Sequence, residues 1–353
     1  MKPSRVIVIT GASAGVGRAL AREFAREGGV KIGLLARGVD GLNAAKQEVE
    51  SLGGRALVIP TDVSDADQVE QAAKTVEDAF GPIDVWVNNA MVSVFSPVKE
   101  MLPEDYKRVT EVTYFGYVYG TLAALKRMLA RDEGIIIQVG SALAYRSIPL
   151  QSAYCAAKHA IVGFTESLRT ELIHDRSKVK VCNAHLPAMN TPQFDWVKSR
   201  LPNKPQPVPP IFQPEVAARG IAWLSKHPKR ELWVGGPTVL AILADRFFPA
   251  LADHYLARRG YDAQQTDEPA GLHRSNNLWK PMSGDAGAHG RFRERSKSFS
   301  LELWLTTHRT HLLTAGLLLA SGCFARRYKL ERHSIANSLP VQNKLAITMS
   351  DEN

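Results

Sequence analysis

Cysteine is scarce. Cys155, Cys182 and Cys323 are the only three in 353 residues, and they stand far apart. An odd number without paired or metal-ligand spacing argues against a disulfide framework and against a cysteine-based metal centre, and no metal is expected. It fits a reducing compartment, so the expected location is cytoplasmic. A secretory leader is also not expected, because Met1 to Arg5 runs straight into the strand-like Val6 to Thr10. Long apolar runs are missing too: Leu312 to Ala325 has 14 residues without charge, where a span needs about 20. Three fates stay open for that run: a short or tilted anchor, an interfacial helix, or a buried helix. Arg326 and Arg327 after it resemble cytoplasmic flanks, so membrane association through 312–325 would lie on that side. Acid is in deficit, with 35 acidic residues against 44 basic ones and a net charge of +9. Much of the basic clustering is late, at Arg291, Arg293, Arg295 and Lys297, then Arg326, Arg327 and Lys329. Such a segment suits an anionic surface or plain solvation; a nucleic-acid partner is not expected.

What is present is ordinary globular material, 45% hydrophobic and 22% charged. Val6 to Thr10 is an apolar β-branched run, and Gly11-Ala-Ser-Ala-Gly15-Val-Gly17 follows it and opens a helical pattern. Strand, glycine turn and helix form the setting of a dinucleotide fingerprint. The glycines let backbone approach a pyrophosphate, and the helix start offers unpaired N–H groups to its charge. Lys31 to Ala36 reads as a second strand ending at Arg37. An acid there would bind ribose hydroxyls, whereas an arginine suits a 2′-phosphate, which favours NADP over NAD; the alternative is a surface arginine. Arg55 to Pro60 is a third strand. Asp62 after it either accepts from an adenine amino group or caps the helix starting near Asp65. Ile83 to Val87 is a fourth strand, ending in Asn88-Asn89-Ala90-Met91. Pro103 to Arg131 reads as one long helix. The alternation predicts a parallel sheet with helices on both faces.

Gly134 to Leu172 carries the chemistry. A strand ending near Gly140 leaves Ser141 at its carboxyl tip, where open α/β sheets bind ligands. Tyr154 and Lys158 are four apart and share one helix face; alone, that interval more often marks a packed tyrosine and a solvated lysine, and the N-terminal glycine turn is what favours chemistry. A phenol with a free pKa of about 10 is a poor acid or base at neutral pH. A neighbouring ammonium is expected to lower that value. The tuned phenol could then exchange a proton with an alkoxide or alcohol, with Ser141 orienting the oxygen. A sixth strand spans Val179 to Ala184, and His185 to Pro192 leaves the sheet on the same side.

With TGASAGVG, NNA, Ser141 and YCAAK in this order, the chain resembles the short-chain dehydrogenase/reductase family over roughly residues 4–236. The resemblance implies an α/β, Rossmann-type doubly wound parallel sheet of about seven strands and carbonyl–alcohol chemistry with a nicotinamide cofactor. It also implies roles. Tyr154 would be the general acid/base, Lys158 the group that tunes it and holds the nicotinamide ribose, and Ser141 the orienting hydroxyl. Gly11, Ser13, Gly15, Val16 and Gly17 would form the phosphate turn. Asp62 and Val63 would meet adenine, Asn89 and Ala90 would back the ribose, and Thr191 would meet the carboxamide. Family members usually pair through the helices around Thr113 and Tyr154, so a homo-oligomer is expected. Two positions depart from the pattern. Thr113 stands where the family often has an asparagine that anchors a water beyond the lysine, and Pro187-Ala188 replaces proline-glycine.

Seven prolines fall between Thr191 and Pro214, so this stretch leans to extended geometry. It reads as a substrate lid over 190–214, with Phe194, Trp196, Leu201 and Phe212 covering a small hydrophobic carbonyl or alcohol. A stiff linker or a docking site for a partner are the alternatives. Domain organisation is expected as 1–238 for cofactor and substrate, then an irregular and helical extension. Val239 to Arg258 reads as one amphipathic helix and 260–300 as loop; 301–330 follows as an apolar helix, and 331–353 as a disordered end. The leading function is an NADP-dependent oxidoreductase; the rivals are a catalytically weak NADP(H)-sensing protein and a membrane-tethered scaffold.

Overall fold

The computed structural model describes residues 4–271 and 274–309. The apolar run at 312–325, the basic cluster after it and the polar end lie outside the described residues. Met1–Leu303 forms one compact unit, and Trp304–Asn353 is a second, of which the described residues are helical.

Seven parallel strands make the sheet: β1 (Val6–Thr10), β2 (Lys31–Ala36), β3 (Arg55–Pro60), β4 (Val85–Asn88), β5 (Ile135–Ser141), β6 (Lys180–Leu186) and β7 (Glu231–Trp233). Their spatial order is β7-β6-β5-β4-β1-β2-β3. The direction of the chain across the sheet thus reverses between β1 and β4, and a crevice opens there at the carboxyl ends. The central strands are runs of Val and Ile because both faces are covered by helices; β1 and β4 are buried throughout.

The connecting helices are α1 (Gly15–Ala25), α2 (Val39–Ser51), α3 (Ala66–Phe80), α4 (Pro103–Thr110), α5 (Gly116–Arg131), α6 (Ser152–His174) and α7 (Pro214–Leu224). Asp65 caps α3, accepting from the N–H groups of Asp67 and Gln68. The capping alternative for Asp62 is therefore corrected, and Asp62 instead accepts from Ser64. The single helix expected over 103–131 is broken by a π-helical turn at Glu111–Phe115. Such turns shift the register of side chains and recur at functional sites.

The helix expected over 239–258 is two, α8 (Gly236–Phe247) and α9 (Pro249–Arg259). Pro249 forces the break, since the residue before a proline avoids helical geometry and Phe248 sits at φ −139° and ψ 51°. Arg146 ties both helices down, donating to Asp245 at 2.9 Å and Asp253 at 2.5 Å. The stretch from 260 is largely irregular but well anchored. Gln265–Pro269 pairs antiparallel with Asn203–Pro205, and Ser296–Lys297 pairs parallel with Ile211–Phe212. The proline-rich segment and the extension are thus stitched together by backbone bonds that proline cannot interrupt at these edge positions.

Candidate functional site

A cavity of about 1040 Å³ runs along the carboxyl ends of the strands, from the glycine turn to the α8–α9 pair. Its lining includes Gly11, Ser13, Gly15, Val16, Arg37, Asp62, Val63, Asn89, Ala90, Ser141, Tyr154, Lys158 and Thr191. Residues scattered over 180 positions of sequence are brought together by the parallel sheet, which delivers every strand end to one rim. Gly17 and Thr113 are the two expected site residues that do not line the cavity.

The turn after β1 is shaped by close approach. A Cβ on Gly17 would lie 2.2 Å from the Gly11 carbonyl oxygen, so only glycine lets α1 start there. A Cβ on Gly15, which has φ +58°, would project toward Thr191 at 3.2 Å, across the cleft itself. The missing side chains leave a cradle at the positive end of α1, fitting a pyrophosphate. Asn89 braces this turn from behind: its amide donates to the carbonyls of Thr10 and Gly11 at 2.9 and 3.3 Å. Asn88 is structural, tying Trp86, Tyr117, Thr121 and Gln138 into a buried network.

At the adenosine end Asp62 is not free. Arg108 of α4 donates to it at 2.6 Å. Burial alone would raise the Asp62 carboxyl, but the hydrogen bonds from Arg108 and Ser64 outweigh it and hold the group below the usual range. Arg37 at the end of β2 also has partners. It donates to the carbonyls of Asn277 at 2.5 Å, Trp279 at 3.0 Å and Leu278 at 3.3 Å. The reading of Arg37 as a plain surface arginine is thereby corrected. These carbonyls belong to the extension, whose role at the cofactor cleft was not foreseen. Leu278 is fully buried beside Val63, Val109 and Val112, a contact that stabilises the docked segment by about 2 kcal/mol. Further along, the Gly15 N–H donates to the Gly287 carbonyl at 3.1 Å, and Arg18 pairs with Asp285 at 3.1 Å.

At the other end, Ser141 closes β5 and its hydroxyl accepts from the Leu143 N–H at 3.1 Å. The Tyr154 phenol faces it. Burial pushes Tyr154 up, and the Ser141 hydrogen bond offsets this only in part. The expected depression of this phenol is corrected: its shift is upward, with burial the largest cause. Lys158 is 2% exposed, and burial lowers its own pKa to about 7. Its ammonium turns to Tyr117 Oη at 2.9 Å and the Val139 carbonyl at 2.8 Å. Thr113 is corrected as well. Its hydroxyl is consumed by the backbone of Val92, accepting from the N–H and donating to the carbonyl, so it does not reach the lysine.

The far wall is apolar. Leu143, Ile148, Phe194, Trp196, Leu240 and Leu251 are among its lining residues. Of the four side chains expected as a cover, Phe194 and Trp196 line the cavity. Leu201 and Phe212 are instead buried, Leu201 against Phe95 and Leu150 and Phe212 in the main core. Sequence reasoning missed Gln264, which is fully buried, lines the cavity and accepts from Gln151 at 2.8 Å. A polar side chain in an irregular stretch gives no periodic signal that would have found it.

Comparison with known proteins follows the same lines. A family model described as short chain dehydrogenase matches residues 5–200. The chain is 35% identical over 297 residues to the oxidoreductase YxnA of Bacillus subtilis, covering 83% of each protein. It is 31% identical over 229 residues to a fatty acyl-CoA reductase of Acinetobacter baylyi, covering 64% of this chain and 75% of that one. Among solved structures, it is similar to an alcohol dehydrogenase from the archaeon Thermococcus sibiricus complexed with 5-hydroxy-NADP. That likeness has a TM-score of 0.57 and 30% identity, over 66% of this chain and 96% of the other. Among the described residues no helix is long and apolar enough to cross a membrane.

Proposed function

This chain belongs to the short-chain dehydrogenase/reductase family and is an NAD(P)-dependent oxidoreductase; we propose that it uses NADP to interconvert a hydrophobic ketone and the corresponding secondary alcohol. The observation that carries this is the shared wall of one cavity. Ser141, Tyr154 and Lys158 stand between a phosphate cradle and an apolar mouth. Bound there, the nicotinamide supplies or accepts the hydride.

The chain's own groups do the rest. Ser141 Oγ and the Tyr154 phenol converge on the substrate oxygen and fix it. Tyr154 gives that oxygen its proton during reduction and takes it back during oxidation. Lys158 keeps a positive charge near the phenol and holds a ribose hydroxyl. Gly11, Ser13, Gly15, Val16 and Gly17 shape the pyrophosphate cradle. Asp62 and Val63 border the adenine, Asn89 and Ala90 the ribose, and Thr191 the carboxamide. Arg37, with no acid at that strand end, favours a 2′-phosphate. Phe194, Trp196, Leu240 and Leu251 exclude water from the reacting centre and select an apolar substrate. Pairing between copies through α5 and α6 is supported by exposed Leu122 and Leu129 on α5, Ile173 on α6, and Phe115 in the π-helical turn before α5.

The test is a panel of aliphatic and aryl ketones of increasing chain length, assayed with NADPH and NADH. The expected result is turnover with NADPH and a kcat/KM that rises with apolar length, by roughly tenfold for every two methylenes. The consumed Thr113 hydroxyl favours a second reading, an NADP(H)-sensing protein; tight NADPH binding with no turnover across the panel would select it.

A further inference from the structure

Thr113 does not reach the lysine, yet the lysine is not left unsupported. Tyr117, one residue into α5 and just past the π-helical turn, points its phenol into the same space. It is 1% exposed. Its Oη donates to the Val139 carbonyl at 2.9 Å and accepts from Lys158 Nζ at 2.9 Å, while Nζ itself donates to Val139 at 2.8 Å. The three groups close a triangle that fixes Nζ. We propose that Tyr117 is the positioning residue for Lys158, taking over the support that an asparagine-held water would give from position 113. The claim rests on the oxidoreductase reading only for its consequence; the contact between Tyr117 and Lys158 is independent of any substrate.

The chemistry follows from hydrogen-bond direction. An oxygen that accepts from an ammonium stabilises the charged form. Burial drives Tyr117 well above the ordinary phenol range, so it stays a neutral acceptor at working pH. The titratable groups facing Lys158 are Tyr154 on its own helix, Tyr117 on α5 and His185 on β6. Among the described residues no carboxylate pairs with Lys158. Tyr117 is therefore a principal neutral support of the charge, beside the Val139 carbonyl.

The experiment compares wild type with Tyr117→Phe, using selectively ¹⁵N-labelled lysine to titrate Lys158 by NMR. Phenylalanine keeps the ring and removes only the hydroxyl, both the acceptor for Nζ and the donor to Val139. The expected result is a Lys158 pKa lower by about one unit, in keeping with the strength of a hydrogen bond to a charged group. Ketone reduction needs the ammonium, so its fall with rising pH should move down by the same amount, with kcat affected more than KM. NADPH binding, followed by fluorescence, should persist. An unshifted lysine titration overturns the proposal, as does a variant that loses folding and cofactor binding together. If wild type reduces no ketone, the functional reading fails while the NMR titration still decides the role of Tyr117.

A separate observation concerns residues 276–290. This strap crosses the adenosine end of the cleft, holding Arg37 and Arg108 by the carbonyls of Asn277, Leu278 and Trp279. It then receives Arg18 on Asp285, donates from the Gly284 N–H to Asp40, and accepts the Gly15 N–H at Gly287. Beyond that, the Gly290 N–H donates to the Asn190 carbonyl beside Thr191. Asn277, Pro281, Met282, Gly284 and Ala286 form cavity wall. We infer that the strap gates the exchange of the dinucleotide, which enters and leaves only when these bonds open.

Two substitutions loosen the strap without touching the reacting groups. Asp285→Asn removes the ion pair with Arg18, which keeps Glu48 as a partner. Gly287→Ala strains a residue at φ +66° where an added Cβ meets nothing within 4 Å, so the cost falls on the docked backbone alone. Stopped-flow binding of NADPH should show association and dissociation both faster, by roughly fivefold or more, with affinity changed less than either rate. Unchanged rates in both variants overturn the gate, as does a loss of affinity at constant association rate. Binding of NADH but not NADPH would overturn the NADP reading; the same rates measured with NADH would then decide the gate.

Discussion

Tyr154→Phe is expected to lower kcat for ketone reduction by about a thousandfold, within the range that a positioned general acid contributes, while NADPH affinity stays at the wild-type value. Phenylalanine keeps the ring and its packing, so the loss isolates one oxygen. Steady-state turnover with NADPH, paired with a fluorescence titration of NADPH, measures both parts. Undiminished turnover would show that the proton reaches the substrate by another route. The direction of the Tyr154 shift adds a pH dependence. Burial holds the phenol above its ordinary value, so the acid form needed for reduction persists through neutral pH. Alcohol oxidation needs the opposite form, and its rate should climb with pH across the alkaline range.

Arg37→Asp is expected to reverse cofactor choice. A guanidinium and a phosphate make charge-assisted, bidentate hydrogen bonds, and an aspartate in that place repels the 2′-phosphate while accepting from ribose hydroxyls. The kcat/KM with NADPH should fall by roughly a hundredfold and that with NADH should rise, since several kcal/mol separate an attractive from a repulsive pair at a partly buried site. Arg37 also anchors the strap through three carbonyls. Arg37→Gln serves as the control, because it loosens the strap without adding repulsion. Equal losses with both cofactors in Arg37→Asp would mean that the residue serves the strap alone.

Much of the site was legible because its signals are local. The glycine turn declares itself by spacing, since a side chain at Gly17 would strike the Gly11 carbonyl and one at Gly15 would project onto Thr191 from a left-handed backbone. Tyr154 and Lys158 were singled out only because their four-residue interval follows the glycine turn and Ser141 in the order that the family resemblance requires. The strand runs were legible for a similar reason: both faces of a parallel sheet are buried, so β1 and β5 open on runs of Val and Ile, and β2 and β4 are mostly apolar. Arg37 was singled out by its place after β2, but its three carbonyl partners come from some 240 residues downstream. Periodicity says nothing about which backbone an irregular segment will offer to a distant guanidinium.

Where the sequence reading missed, a long-range contact won over a local pattern. Leu201 and Phe212 looked like lid residues, but Leu201 packs against Phe95 and Leu150, and the strand of Phe212 pairs with the extension, which turns both inward. Thr113 looked like a poor substitute for asparagine; the hydroxyl is spent on Val92, and Tyr117 from the next turn reaches the lysine.

The sequence by itself determined the class of protein and the order of strands and helices, because turn chemistry and apolar period act within a few residues. Only the tertiary structure decided who holds the lysine, what occupies Arg37, and that the stretch beyond residue 260 lies over the cleft. Those outcomes depend on burial and on hydrogen bonds between segments far apart in the chain, and such partners exist only once the sheet has gathered the strand ends.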